Sequence, residues 1–198
     1  MTDTYDLLVT ERTRLTELLA GLSPEQWRAQ SLCENWSVRE VVAHMTAHLI
    51  HPDEEYGSAE ITSIADMNAM LDDWARSDAA ARTDAELLEL YRSGIESRWA
   101  PEGGGLEGAL SHDVIHGLDI TVPLGLPGPA TDAVERAISG GGPENWGFFG
   151  VDLAGYRLVA TDADVSVGDG ERLVERPVTE VLRILTARRP FPARNGAA

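Results

Sequence analysis

The sequence predicts a mainly helical chain: a helix bundle with a small α/β appendage at its C-terminal end. Three observations predict it. Apolar residues recur at helical spacing through successive segments up to residue 124. Glycine, proline and capping residues punctuate those segments. After residue 150 the pattern shortens to β-type runs separated by Asp/Gly turns. The boundaries read as a bundle over residues 1–140 and an appendage, packed on that bundle, over residues 150–198.

The first helix is expected over residues 4–22, with Leu7, Leu8, Leu15, Leu18 and Leu19 inward and Glu11, Arg12 and Arg14 facing away. Ser23-Pro24-Glu25-Gln26-Trp27 reads as a short capped turn with proline at the first helical position. Residues 31–36 read as a loop. Ser37, with Glu40 three residues on, forms a capping box for a second helix that ends near His51-Pro52. Residues 53–62 are polar and read as loop. A third helix is expected over 64–79, with Met67, Met70, Leu71 and Trp74 on its apolar side. A fourth spans 84–99, with Leu87, Leu88, Leu90, Tyr91 and Ile95 inward. A fifth spans 106–124 and carries Leu110, Val114, Ile115 and Leu118, with Pro123 and Pro127 among its stop signals. Thr131 to Ser139 reads as a short helix and Gly140 to Pro143 as a linker. In the tail, 156–161, 165–167 and 172–174 read as strands and 177–187 as a last helix.

The composition narrows the function classes. Asp and Glu number 33 against 16 Lys and Arg, a formal charge of -17. Such a surface repels phosphate backbones and anionic membranes, so neither nucleic acid nor membrane is expected as a partner. The single cysteine, Cys33, rules out an intramolecular disulfide, and a reducing cytoplasm is the expected setting. The first residues lack the basic and apolar regions of a signal peptide, and no run has the ~18 to 20 apolar residues of a membrane span.

The chemistry-bearing residues are the histidines. His112 and His116 stand four apart, as do His44 and His48, so each pair lies one turn apart on one helix face and can reach one ion. Neutral imidazole suits zinc, with nickel and iron as alternatives. His44, His112 and His116, from two elements, would make a three-ligand site with an open position for water, a thiolate or substrate, the pattern of catalytic sites. His48 reads as an additional ligand, a proton shuttle or an exposed side chain; His51, before a proline at a helix end, reads as structural. Asp119, one turn beyond His116, is placed to orient an imidazole from the second coordination layer, or simply to be solvated. Cys33, just before a helix N-terminus, is read as packing rather than as a reactive thiol. Trp27 and Trp36 read as core anchors, and Arg39 as an ion-pair partner that holds the loop.

Ser31-Leu32-Cys33-Glu34-Asn35-Trp36-Ser37-Val38-Arg39-Glu40-Val41-Val42-Ala43-His44 resembles the signature of the mycothiol-dependent maleylpyruvate isomerase family, within the DinB-like superfamily of metal-binding four-helix bundles. His112 to Asp119 is similar to the family's second motif, which has glutamate, three residues, histidine, two residues, aspartate; here His112 stands at the glutamate position. The segments 158–170 and 176–182 are similar to the abbreviated C-terminal region of short members. The resemblance implies an up-and-down four-helix bundle, with His44, His112 and His116 as ligands of a divalent metal, zinc foremost, and Asp119 behind them. It implies mycothiol as co-substrate and a homodimer as an assembly. No arginine equivalent to the isomerase's active-site arginine can be placed, and Arg183, Arg188 and Arg189 read as surface charges.

The expected activity is that of a thiol-dependent transferase or isomerase. A low-molecular-weight thiol bound at the metal adds to an electrophilic substrate, giving transfer or addition–elimination isomerisation. Hydrolysis by an activated water at the same site, and a non-catalytic metal- or small-molecule-binding role, stand as alternatives.

Overall fold

The structure, a computed structural model, describes residues 2–51, 63–101, 103–147 and 149–191; the loop expected at 53–62 lies outside the described residues. It is mainly helical with one small sheet. In chain order the elements are α1 (Thr4–Ala20), α2 (Pro24–Trp27), α3 (Val38–Ile50), α4 (Ile64–Ala81), α5 (Asp84–Ser93), α6 (Gly105–Leu124), α7 (Thr131–Gly147), β1 (Tyr156–Ala160), β2 (Ser166–Val167), β3 (Arg172–Arg176) and α8 (Val178–Leu185). Among the described residues no helix is long and apolar enough to cross a membrane.

The chain forms two compact units. One consists of Val9–Trp99 and His116–Pro127, the other of Met1–Leu8, Ala100–Ile115 and Gly128–Ala198. Helices α1 and α6 each contribute a part to both.

The first unit is organised around α3. Its start is fixed by the Ser37–Glu40 pair: the Glu40 carboxylate accepts the Ser37 backbone N–H at 2.6 Å and its hydroxyl at 2.9 Å, which satisfies donors the helix itself cannot. Val38, Val41, Val42 and Met45 are buried with Leu15, Leu19, Trp27, Leu87, Tyr91 and Ile120 in one cluster, so α3 is covered on most of its circumference. Arg39 pairs with Asp84 and donates to the carbonyls of Ala79 and Arg82 at 2.7 and 2.6 Å. It therefore ties α3 to the α4–α5 turn, whereas the sequence reading gave it to the loop before α3. On α4 the residues expected inward, Met67, Met70, Leu71 and Trp74, are half-buried; Ala75, Asp78 and Ala79 are the buried ones.

Two expectations fail in this unit. Glu11 and Arg12 do not face away: both are buried, at 2% and 3% exposure. Glu11 accepts two hydrogen bonds from the Arg14 guanidinium at 2.5 and 2.7 Å. Arg12 donates to the carbonyls of Gly94, Ile95 and Ser97. Buried charges persist because each is paired or fully hydrogen-bonded. The second failure is at the end of α5, which stops at Ser93 rather than Trp99: Gly94 caps it, and the Ile95 and Ser97 N–H groups close tight turns onto the Arg92 and Gly94 carbonyls, where Arg12 adds its hydrogen bonds.

In the second unit β1 lies between β2, antiparallel, and β3, parallel. Gly170 packs so closely on the Gly155–Tyr156 backbone that a Cβ there would sit 2.0 Å from it. Helix α8 starts where Asp162 accepts the Val178 N–H at 2.7 Å and buries Val178, Val181, Leu182, Ile184 and Leu185. The glycines at 140–142 are not a linker: α7 continues through them to Gly147. A Cβ at position 140 would lie 2.7 Å from Glu107 Cβ, so the glycine that weakens the helix locally also permits its close approach to α6. Pro123, expected as a stop, lies within the last turn of α6.

Candidate metal centre

The site begins with the loop before α3. Ser31 N–H donates to the Trp36 carbonyl at 3.0 Å. The Ser31 hydroxyl donates to the same carbonyl at 2.8 Å and accepts from Cys33 N–H at 3.1 Å. Gln30 Nε2 donates to the carbonyls of Cys33 and Trp36 at 2.8 and 2.9 Å. Asn35 takes up the left-handed turn conformation, with φ of 64°, which asparagine tolerates well. The closed loop is pinned to α6 by Leu32 N–H, which donates to the Asp119 carbonyl at 3.0 Å.

This pinning carries Cys33 to the imidazole of His116. Cys33 Sγ is 3.0 Å from Asp119 Oδ2 and 3.9 Å from His116 Nδ1. The same Asp119 oxygen lies 3.0 Å from His116 Nδ1, and Asp119 is fully buried, at 0% exposure. A carboxylate so buried is stable only where donors face it; here an imidazole N–H and a thiol S–H do.

On the α3 side, His44 lies with its ring centroid 4.8 Å from that of His116, edge to face, and 5.0 Å from the Trp36 ring. Trp36 Nε1–H donates to Asp72 Oδ1 at 2.6 Å, which fixes the indole beside His44. The Arg76 guanidinium, and after it the Trp36 indole, hold the Asp72 carboxyl below its usual range. Helix α6 is unbroken from Gly105 to Leu124, so His112 stands one turn before His116 on the same helix face. Its Nδ1 lies 3.1 Å from Asp113 Oδ1. One ligand atom from each of His44, His112 and His116 lies within 4.8 Å of the other two. Cys33, His116 and Asp119 satisfy the same condition.

The three histidines singled out in the sequence are thus neighbours, and Asp119 is at the back of one of them. His48 is in neither donor group found among the described residues. Its ring stacks on Trp99 at 4.5 Å, and it lines a cavity of about one water's size with Arg12, Thr46 and Tyr91. His51 stacks on Trp74 and pairs with Asp78 at 2.8 Å. Arg183 and Arg189 both pair with Glu180. Sequence reasoning missed Cys33, taken there as packing. Its neighbours Asp119 and His116 are 86 and 83 positions away, and no local pattern signals that contact.

Residues 8–100 match the family model of the mycothiol maleylpyruvate isomerase N-terminal domain. The match spans α1 to the end of α5 and makes this part of the chain similar to that domain. The chain is also similar to a solved structure, a histidine-to-alanine mutant of mycothiol-dependent maleylpyruvate isomerase. The two are 14% identical, with a TM-score of 0.59, over 94% of this chain and 88% of that one. At that identity the likeness shows the fold. No curated protein matches the chain. The matched segment contains the Ser31–Trp36 loop, Cys33 and His44; His112, His116 and Asp119 lie beyond it on α6.

Proposed function

We propose that this chain is a metal-dependent enzyme of the mycothiol-dependent isomerase type, in which His44, His112 and His116 hold one divalent ion, zinc foremost. The observation that carries the reading is the convergence of three imidazole ligand atoms within 4.8 Å, drawn from two helices. The chemistry of the donors fits. Asp119 and Asp113 face the Nδ1 atoms of His116 and His112, which favours the tautomer that carries its proton there and turns the Nε2 lone pair toward the ion. Three neutral imidazoles leave the full positive charge of the ion uncompensated, and three protein ligands leave a position open. When bound, the ion supplies a Lewis acid that lowers the pKa of a thiol in that open position. The substrates proposed are a low-molecular-weight thiol, mycothiol by the likeness of residues 8–100 to that N-terminal domain, and an electrophile. The reaction is thiol transfer or addition–elimination isomerisation. Trp36, fixed by Asp72, stands beside the His44 ring. Placement of His48 against Trp99 supports an open rather than a closed coordination shell.

The test is metal content of protein purified without an affinity tag. The wild type is expected to hold about one equivalent of zinc, and His116→Ala to hold next to none. The loaded wild type should then consume an electrophile in a thiol-dependent manner, and the variant should not. Equal metal in both proteins, or none in either after incubation with zinc, would overturn the proposal.

A further inference from the structure

The geometry points to a second cation site on the opposite edge of the His116 ring, built from Cys33 Sγ, His116 Nδ1 and Asp119 Oδ2 and suited to a soft divalent ion. These three atoms lie within 4.8 Å of one another, on a loop and a helix of one compact unit. The donor set is thiolate, imidazole and carboxylate, which together neutralise a divalent charge in a place where Asp119 has no access to water. The loop is held by its own hydrogen bonds and by the Leu32–Asp119 backbone bond, so the thiol is already in position.

The two sites exclude each other through one atom pair. A neutral imidazole carries a single lone pair on one nitrogen and a proton on the other. With the proton on Nδ1, His116 donates to Asp119 and offers Nε2 to His44 and His112's ion. With an ion on Nδ1, the proton sits on Nε2 and His116 leaves the three-histidine set. In forming the second site the Cys33 S–H bond breaks, its proton goes to bulk water, and the sulfur electron pair bonds the ion; Asp119 Oδ2 exchanges two hydrogen bonds for the ion. Only an ion with a strong bond to sulfur repays that exchange, so the choice between sites follows softness: cadmium selects Cys33, and a harder ion selects the three histidines.

The probe is cadmium chloride added to the metal-free full chain, read by the ultraviolet thiolate-to-cadmium charge-transfer band. Because Cys33 is the only cysteine, the band has one source. The expected result is a band that saturates at one equivalent of cadmium in the wild type and persists in His44→Ala and His112→Ala. In Cys33→Ser the band is absent and cadmium affinity falls by about tenfold or more. Helical circular dichroism confirms that each variant is folded, and the wild-type band alone decides the matter if Cys33→Ser is not. Cadmium bound without the band, no cadmium bound at all, or a band lost in folded His112→Ala would each overturn the second site. The zinc measurement under the proposed function is independent: it fails or succeeds on the histidines, whatever cadmium does at Cys33.

Discussion

Helices α6 and α8 treat burial in opposite ways. On α8 every buried side chain is apolar: Val178, Val181, Leu182, Ile184 and Leu185. Its charged residues Glu180 and Arg183 pair with each other outside. On α6, Ala109, Leu110, Val114, Leu118 and Ile120 are buried, but so are Asp113, Asp119 and Thr121, at 3%, 0% and 0% exposure. A carboxylate taken out of water costs several kcal/mol unless donors meet it, on the order of 1–3 kcal/mol for each bond left unmade. An apolar side chain at position 119 would avoid that cost. Helix α8 is therefore built for stability, and α6 accepts a stability cost where its carboxylates face imidazoles.

That contrast can be broken by variants whose effects should separate. The largest is Leu182→Ala on α8. It removes a fully buried side chain and should cost about 2–5 kcal/mol in denaturant unfolding, with zinc stoichiometry unchanged in the folded protein. A loss of zinc there would show that the two helices do not divide the work as described. Next is Asp119→Asn, which keeps volume and the backbone bond to Leu32 but removes the charge behind His116. Zinc affinity should weaken about 10- to 100-fold, read by competition with a chromophoric chelator, while the unfolding midpoint of the metal-free protein changes little. The smallest is Asp72→Asn. The folded carboxyl sits below its ordinary range, chiefly through Arg76 and then Trp36. Its contribution to stability is therefore present above the unfolded pKa near 3.9 and is lost as pH falls through the folded value. The wild type should be more stable than Asp72→Asn by a constant margin above about pH 5, and the margin should shrink below pH 4. Asp72 is 41% exposed, so the margin is small and weakens with salt.

The local rules were legible in the sequence. Ser23 and Ser37 each form the capping arrangement that their spacing to Gln26 and Glu40 implies, and the last helix lies within the span its apolar period marks. The histidine pair on α6 was legible for the same reason, since helical spacing alone puts His112 and His116 on one face. What was not legible depends on contacts distant in sequence. Arg12 binds the carbonyls just past the end of α5 from more than 80 positions away. Gly140 leaves room for Glu107, and α7 runs on through a glycine stretch that local propensity reads as a break. Cys33 reaches Asp119 only because Leu32 is bonded to the α6 backbone. The fold class needed only patterns; the thiol side of His116 needed the tertiary structure.

The three-histidine site is tested by X-ray absorption spectroscopy at the zinc edge of the zinc-loaded wild type, with His112→Ala as the comparison. Three imidazole nitrogens at about 2.0–2.1 Å with no sulfur are expected in the wild type, and one imidazole fewer, or no zinc, in the variant. A sulfur scatterer at about 2.3 Å, or an unchanged spectrum in His112→Ala, would contradict it.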